Sequence, residues 1–310
     1  GHRKAVECGL FTGPRLFVAG RAISQTGGHG DMRPPHEVSS CGCAYSGVIT
    51  QLVDGPDQVR HVVREELRRG ANHIKVMMSG GVASPSDPLW MDQFTDEELR
   101  VAVEEAARRH KYVAAHCHTD EAARRCVSLG VRSIEHGTRI SDSTARMIAA
   151  APATFTVPTL AVLHQLVDYR ESTGMSASSI EKVDGLIADM LSSITNCRRA
   201  GVRIGFGTDL FGEAFHALQS REFRHRAEVD RPIDILRSAT SVNAEILQME
   251  DQIGIVRAGA CADLIALDTN PLEDITCFER WQSEMPLVIA EGRIVRDEIS
   301  ASHSAARRTL

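Results

Sequence analysis

The chain has 310 residues, 43% of them hydrophobic and 25% charged, with a formal net charge of -6. That length suits either one α/β barrel, which takes about 250 residues, with an appendage or two ordinary domains. The acidic balance gives no electrostatic reason to bind nucleic acid, and no apolar run approaches the roughly 20 residues that span a bilayer, so neither nucleic acid nor membrane is an expected partner.

Gly1 to Cys8 are polar and mixed rather than a secretory signal. Short β-branched or apolar runs then alternate with amphipathic stretches, the pattern of a parallel sheet with crossover helices. The pattern predicts strands at Arg15 to Ala19, His73 to Met77, Tyr112 to His116, Ser133 to His136, Thr154 to Pro158 and Arg203 to Gly207. Helices are predicted at Asp57 to Arg69, Thr95 to His110, Thr119 to Leu129, Asp142 to Ala150 and about Ser179 to Ala200. Thr95 and Glu98 stand at capping-box spacing, which satisfies orphan N–H groups and fixes the preceding loop. Pro232 to Leu247 reads as a closing helix.

From Ile253 the texture changes. Short β segments at Ile255 to Val256, Asp263 to Asp268 and Leu287 to Val295, broken by Gly259, Pro271 and Gly292, predict a small antiparallel lobe, and Ala301 to Leu310 a frayed tail. Eight cysteines, mostly in apolar segments such as those of Cys117, Cys126 and Cys197, read as buried thiols of a reducing compartment, hence a cytoplasmic protein. Cys41 and Cys43 form a C-x-C pair in a Ser/Gly loop, with no second cysteine pair nearby to complete a zinc site.

In a parallel barrel the chemistry gathers at the C-terminal strand ends. Lys75, His116, His118, His136 and Asp209 all fall there. Singly, a strand-end histidine is a hydrogen-bonding group; together, imidazoles and a carboxylate suit zinc, and His116, His136 and Asp209 supply the three ligands a catalytic site needs. Lys75 cannot ligate as an ammonium and is costly to bury in an apolar strand. Carbamylation by carbon dioxide would make it an anionic bridge between two metals; pairing with a neighbouring acid is the alternative.

These segments resemble the amidohydrolase superfamily, in particular its prolidase-like branch related to imidazolonepropionase. The resemblance rests on Gly13-Pro14-Arg15, Thr26-Gly27-Gly28-His29-Gly30-Asp31, Ile74-Lys75-Val76-Met77-Met78-Ser79-Gly80-Gly81, Ala115-His116-Cys117-His118, Ile134-Glu135-His136-Gly137, Val157-Pro158-Thr159-Leu160 and Gly207-Thr208-Asp209. Distally, Gly254-Ile255, Gly259 and Ala262-Asp263-Leu264-Ile265 agree with the C-terminal strands of that family's small β-sandwich, with Asp263 a turn residue. The resemblance implies a (β/α)8 TIM-like barrel over residues 1–250 and a C-terminal β-sandwich segment over 251–300. It implies one or two zinc ions, Lys75 as carbamylated bridge, His116 and His136 on the more exposed metal, and Asp209 as metal ligand and proton shuttle. His118 and His29 are implied as substrate contacts, His29 with a water-facing loop histidine as its alternative.

The family's first strand ends in His-x-His, and no such strand is present; His116-x-His118 falls where strand five belongs. Six strands are counted where eight are needed, so the barrel is expected to lack its first strands, as in a fragment of a longer enzyme, with one metal or weak occupancy. The expected reaction is attack of metal-activated hydroxide on the amide of an Xaa-Pro dipeptide or N-acyl amino acid, in a homo-oligomer. A deaminase or cyclic-amide hydrolase of the same superfamily, and an inactive barrel used for binding, are the rival readings.

Overall fold

The computed structural model describes residues 1–33, 36, 49–84, 87–171 and 177–299. The chain divides into two compact units, Gly1–Thr159 with Leu163–Ile204, and Leu160–Val162 with Gly205–Leu310. In chain order the elements of the first run α1 (His2–Glu7), β1 (Ala22–Ser24), β2 (Thr50–Leu52), α2 (Pro56–Arg68), β3 (Ile74–Met77), α3 (Asp96–Ala107), β4 (Val113–Cys117), α4 (Asp120–Ser128), β5 (Ser133–His136), α5 (Asp142–Ala149) and β6 (Phe155–Val157). Helix α6 (Leu160–Asp168) follows, then α7 (Ala177–Glu181) and α8 (Leu186–Ala200).

The six strands form one parallel sheet in the order β2-β1-β3-β4-β5-β6. Ile74, Val76, Val113, Ala115 and Cys117 alternate along β3 and β4 and are all at most 2% exposed, while the intervening positions carry Lys75 and His116 to the other face. Helix α2 buries Val59, Val62, Val63 and Leu67 at helical spacing. Helices α3, α4 and α5 each begin with a side-chain cap, from Thr95, Thr119 and Ser141 respectively.

Several predicted elements differ. Arg15 to Ala19 is no strand: Val18 N–H donates to Asn72 Oδ1 at 2.9 Å and Val18 O accepts from Asn72 N–H at 2.7 Å, a pairing with one residue instead of a ladder. The strand beside β3 on that side is β1, with β2 beyond it, each three residues long, too short to show a period of two. Arg203 to Gly207 contributes a single parallel bridge, Thr156 to Ile204, in a segment where Gly205 and Gly207 leave few side chains to pack. The helix expected from Ser179 to Ala200 breaks at Gly185, whose φ of 80° starts α8 afresh.

The second unit holds α9 (Arg221–Arg226), then α10 (Pro232–Arg237), a π-helical turn Ser238–Val242 and α11 (Asn243–Ile246), which together make the expected closing helix. Helix α12 (Trp281–Glu284) and an antiparallel sheet follow, β7 (Leu264–Ala266), β8 (Leu287–Ala290) and β9 (Arg293–Asp297) in that order. Ile255 to Val256 is not a strand, and Val256 is 85% exposed. Ile235, Ile275, Cys277 and Phe278 form the core of this unit with Phe206 and Phe223 packed against them. The six described cysteines are free thiols, four of them buried; Cys41, Cys43 and the tail Ala301 to Leu310 lie outside the described residues. No helix among the described residues is long and apolar enough to cross a membrane.

Candidate metal and substrate centre

Four imidazoles converge on the C-terminal side of the parallel sheet. His116 lies in β4, His118 just beyond it, His136 at the end of β5, and His29 in the glycine-rich turn after β1. The His116 ring stacks on His29 at 4.4 Å and 20°, and meets His118 and His136 edge-on, each at 4.6 Å. His118 and His136 stack at 5.1 Å.

Strand register alone does not produce this meeting. Across β4 and β5, His116 pairs with Glu135 and Cys117 with His136, and partners in register share a face. His136 escapes the Cys117 face because its φ is 67°. A left-handed conformation at a non-glycine residue costs of order 1–3 kcal/mol and persists where surrounding contacts impose it.

Those contacts hold each ring by one nitrogen. Nδ1 of His136 shares a 2.8 Å hydrogen bond with Thr159 Oγ1, and Nδ1 of His118 a 2.7 Å bond with Thr138 Oγ1. Nε2 of His116 donates to Gly80 O at 3.3 Å, and the His118 N–H donates to Ser79 Oγ at 2.8 Å. The Ser79-Gly80-Gly81 run must be small. A Cβ on Gly80 would stand 1.9 Å from Pro88 O, and one on Gly81 2.2 Å from His29 Cε1.

Burial above all, reinforced by the neighbouring imidazoles, holds His116 and His136 well below the ordinary histidine pKa. Burial brings His118 down to about 3, with the neighbouring His29 ring and the charges of Arg139, Lys75 and Lys182 behind it. All three are therefore neutral at physiological pH, the form in which imidazole binds a metal. Lys75, in register with Ala114 on β4, is close enough that its charge bears on all three rings. Clustered neutral imidazoles with a lysine beside them fit a divalent cation of the zinc type.

Asp209 belongs to the second unit, where it is exposed and has a φ of 51°. The segment leading to it is clamped. Arg226, paired with Asp230 at 2.6 Å, donates to Gly205 O at 3.0 Å, and the Asn243 amide bonds both the N–H and the carbonyl of Phe206, at 3.0 and 2.9 Å.

Sequence reasoning passed over Thr138, Thr159, Asp87 and Lys182. Thr138 and Thr159 lie within or beside the runs that carry the resemblance, two residues past His136 and one past Pro158. Asp87 and Lys182 carry no local signal.

A model described as the amidohydrolase family matches residues 1–295. The ochratoxinase of Aspergillus niger is 35% identical over 287 residues, which are 89% of this chain and 59% of that protein. The chain thus spans less than two thirds of that relative's length. Among solved structures, a prolidase complexed with N-methylphosphonate-L-proline aligns at a TM-score of 0.92 with 44% identity, over 96% of this chain and 73% of the other. A Xaa-Pro dipeptidase with methionine bound in its active site aligns at 0.84 with 30% identity, over 95% and 71%.

Proposed function

Since the chain belongs to the amidohydrolase family, we propose that its protein hydrolyses the amide bond of a dipeptide, preferentially Xaa-Pro, or of an N-acyl amino acid, on a (β/α)8-type scaffold lacking its first strands. The observation that carries the reading is the cluster of His116 with His29, His118 and His136, whose rings contact it at centroid distances of 4.4–4.6 Å on the C-terminal side of the parallel sheet. The prolidase complex and the Xaa-Pro dipeptidase favour proline at the leaving end.

His116 and His136 would hold the more exposed of one or two zinc ions. Lys75, after its neutral amine adds carbon dioxide and loses a proton, would bridge as a carbamate, and Asp209 would complete the ligands. Bound there, the cation lowers the pKa of water towards neutrality and polarises the scissile carbonyl. Asp209 takes the proton from the attacking water and returns it to the leaving nitrogen, so one carboxylate serves as base and then acid. His118 and His29 orient the substrate, His118 through its Thr138 anchor. The burial that keeps His118 neutral also strengthens the hydrogen bond it makes to a polarised carbonyl.

The test is a panel of Xaa-Pro dipeptides, other dipeptides and N-acyl amino acids with zinc-loaded protein, alongside Asp209→Asn. Amide cleavage abolished by that substitution supports the reading. Ammonia release from an aminated heterocycle without amide cleavage, or no turnover with zinc bound, overturns it.

A further inference from the structure

Behind His29 lies a buried polar network that the proposed chemistry leaves unused. The Asp87 side chain is fully buried. Its Oδ2 accepts from the Gly81 N–H at 2.7 Å and stands 3.1 Å from His29 Nδ1. Ser84 Oγ, which accepts from the Gly30 N–H at 2.7 Å, lies 2.8 Å from the same nitrogen.

A buried carboxylate is costly unless it is compensated. The compensation comes from Lys182, on the turn after α7. Its ammonium donates to the carbonyls of Gly81, Ser84 and Asp87 at 3.0, 2.9 and 2.8 Å and stands 4.0 Å from Asp87 Oδ1. One cation therefore ties down both ends of the run from Gly81 to Asp87 and balances the charge of its carboxylate. The His29 ring lies against the Gly81 backbone on one side and stacks on His116 at 4.4 Å on the other.

A carboxylate only accepts hydrogen bonds, so its approach to Nδ1 selects the tautomer with the proton on Nδ1 and leaves Nε2 as an acceptor. We infer that Asp87, braced by Lys182 and the Gly81 N–H, is a positioning residue that fixes the ring and tautomer of His29, so that Nε2 receives an N–H or O–H donor of the substrate. His118 differs, because its anchor is the Thr138 hydroxyl, which can donate or accept and does not impose one tautomer. His29 is thus the substrate acceptor of the pair. The consequence for turnover rests on the amide-hydrolase reading, whereas the tautomer does not.

Two measurements test this. Nitrogen-15 NMR of the histidine rings in the zinc-loaded wild-type protein reads the tautomer directly. A His29 proton on Nδ1 in the wild type, redistributed between the nitrogens in Asp87→Asn, supports the inference; a proton on Nε2 in the wild type overturns it, whether or not any substrate is turned over. The second is a double-mutant cycle on the amide substrate. Asp87→Asn is expected to lower kcat 10–100-fold, the range for losing the partner that orients an active-site histidine, and to cost nothing further in a His29→Gln background. Equal losses in both backgrounds, or none in either, would show that Asp87 only holds the loop.

Discussion

Thr159 holds His136 through a 2.8 Å hydrogen bond between Oγ1 and Nδ1, and Thr138 holds His118 in the same way at 2.7 Å. The two threonines are isosteric anchors of rings with different proposed roles. If His136 binds metal and His118 binds substrate, their loss separates. Thr159→Val should weaken zinc binding 10–100-fold, whereas Thr138→Val should leave zinc content unchanged and alter KM or kcat. Equilibrium zinc titration with steady-state kinetics on both variants checks this, and equal loss of zinc from the two would put both histidines on the metal.

Two adjacent glycines should fail differently. A Cβ on Gly80 meets a backbone carbonyl, Pro88 O, at 1.9 Å, whereas a Cβ on Gly81 meets the His29 ring, whose nearest atom is 2.2 Å away. Backbone yields less readily than a side chain. Gly80→Ala should therefore cost about 1–3 kcal/mol or more, seen as a fall in melting temperature of several degrees. Gly81→Ala should melt close to wild type yet lose roughly 100-fold in kcat/KM, because a displacement of about 1 Å suffices for that. Retention of full activity by Gly81→Ala would remove His29 from the site.

The strand ends were legible because a parallel fold concentrates its polar chemistry there, so a histidine closing an apolar run stands out. His29, His116, His118 and His136 were all named from the sequence, and the fold gathers them. Their anchors were not legible, since threonine is common everywhere and acts only through a contact made in three dimensions. The reversal at His136 was hidden as well: alternation assigns it the face of Cys117, and only its φ of 67° corrects that. Strands β1 and β2, three residues each, fall below the length at which alternation can be read. Gly185 sits within an amphipathic stretch, and the sequence does not show that it adopts φ 80° and splits the helix.

The capping box of α3 makes a graded prediction. Thr95 Oγ1 accepts from the Glu98 N–H at 3.3 Å, and Glu98 Oε2 accepts from the Thr95 N–H at 2.7 Å. Glu98 Oε1 also accepts from the Gly55 N–H at 2.7 Å, just ahead of α2. Thr95→Ala should cost about 1 kcal/mol. Glu98→Ala should cost more, because it strips the acceptor from two N–H groups and uncouples the starts of two helices. Urea denaturation of both variants orders them, and the reverse order would mean that the Gly55 contact contributes nothing.

Glu222 predicts a pH dependence in the second unit. Its side chain is fully buried and accepts from the Ala161 N–H at 2.6 Å. Burial raises its pKa from the ordinary 4.5 to about 7, against the opposing pull of Arg226. Between those values the folded chain keeps the proton that the unfolded chain has lost, so the unfolded state binds fewer protons and stability falls as pH rises. The contribution is fully present below about pH 4.5 and is lost by the time pH passes about 7, a change of roughly 3 kcal/mol. Glu222→Gln keeps an oxygen for the Ala161 N–H and removes the ionisation. Other groups titrate in the same window, so the informative quantity is the difference between the two proteins. That difference should shift in favour of the variant from pH 5 to pH 8 in urea unfolding, and a pH-independent difference would mean that Arg226 keeps Glu222 ionised in the folded state.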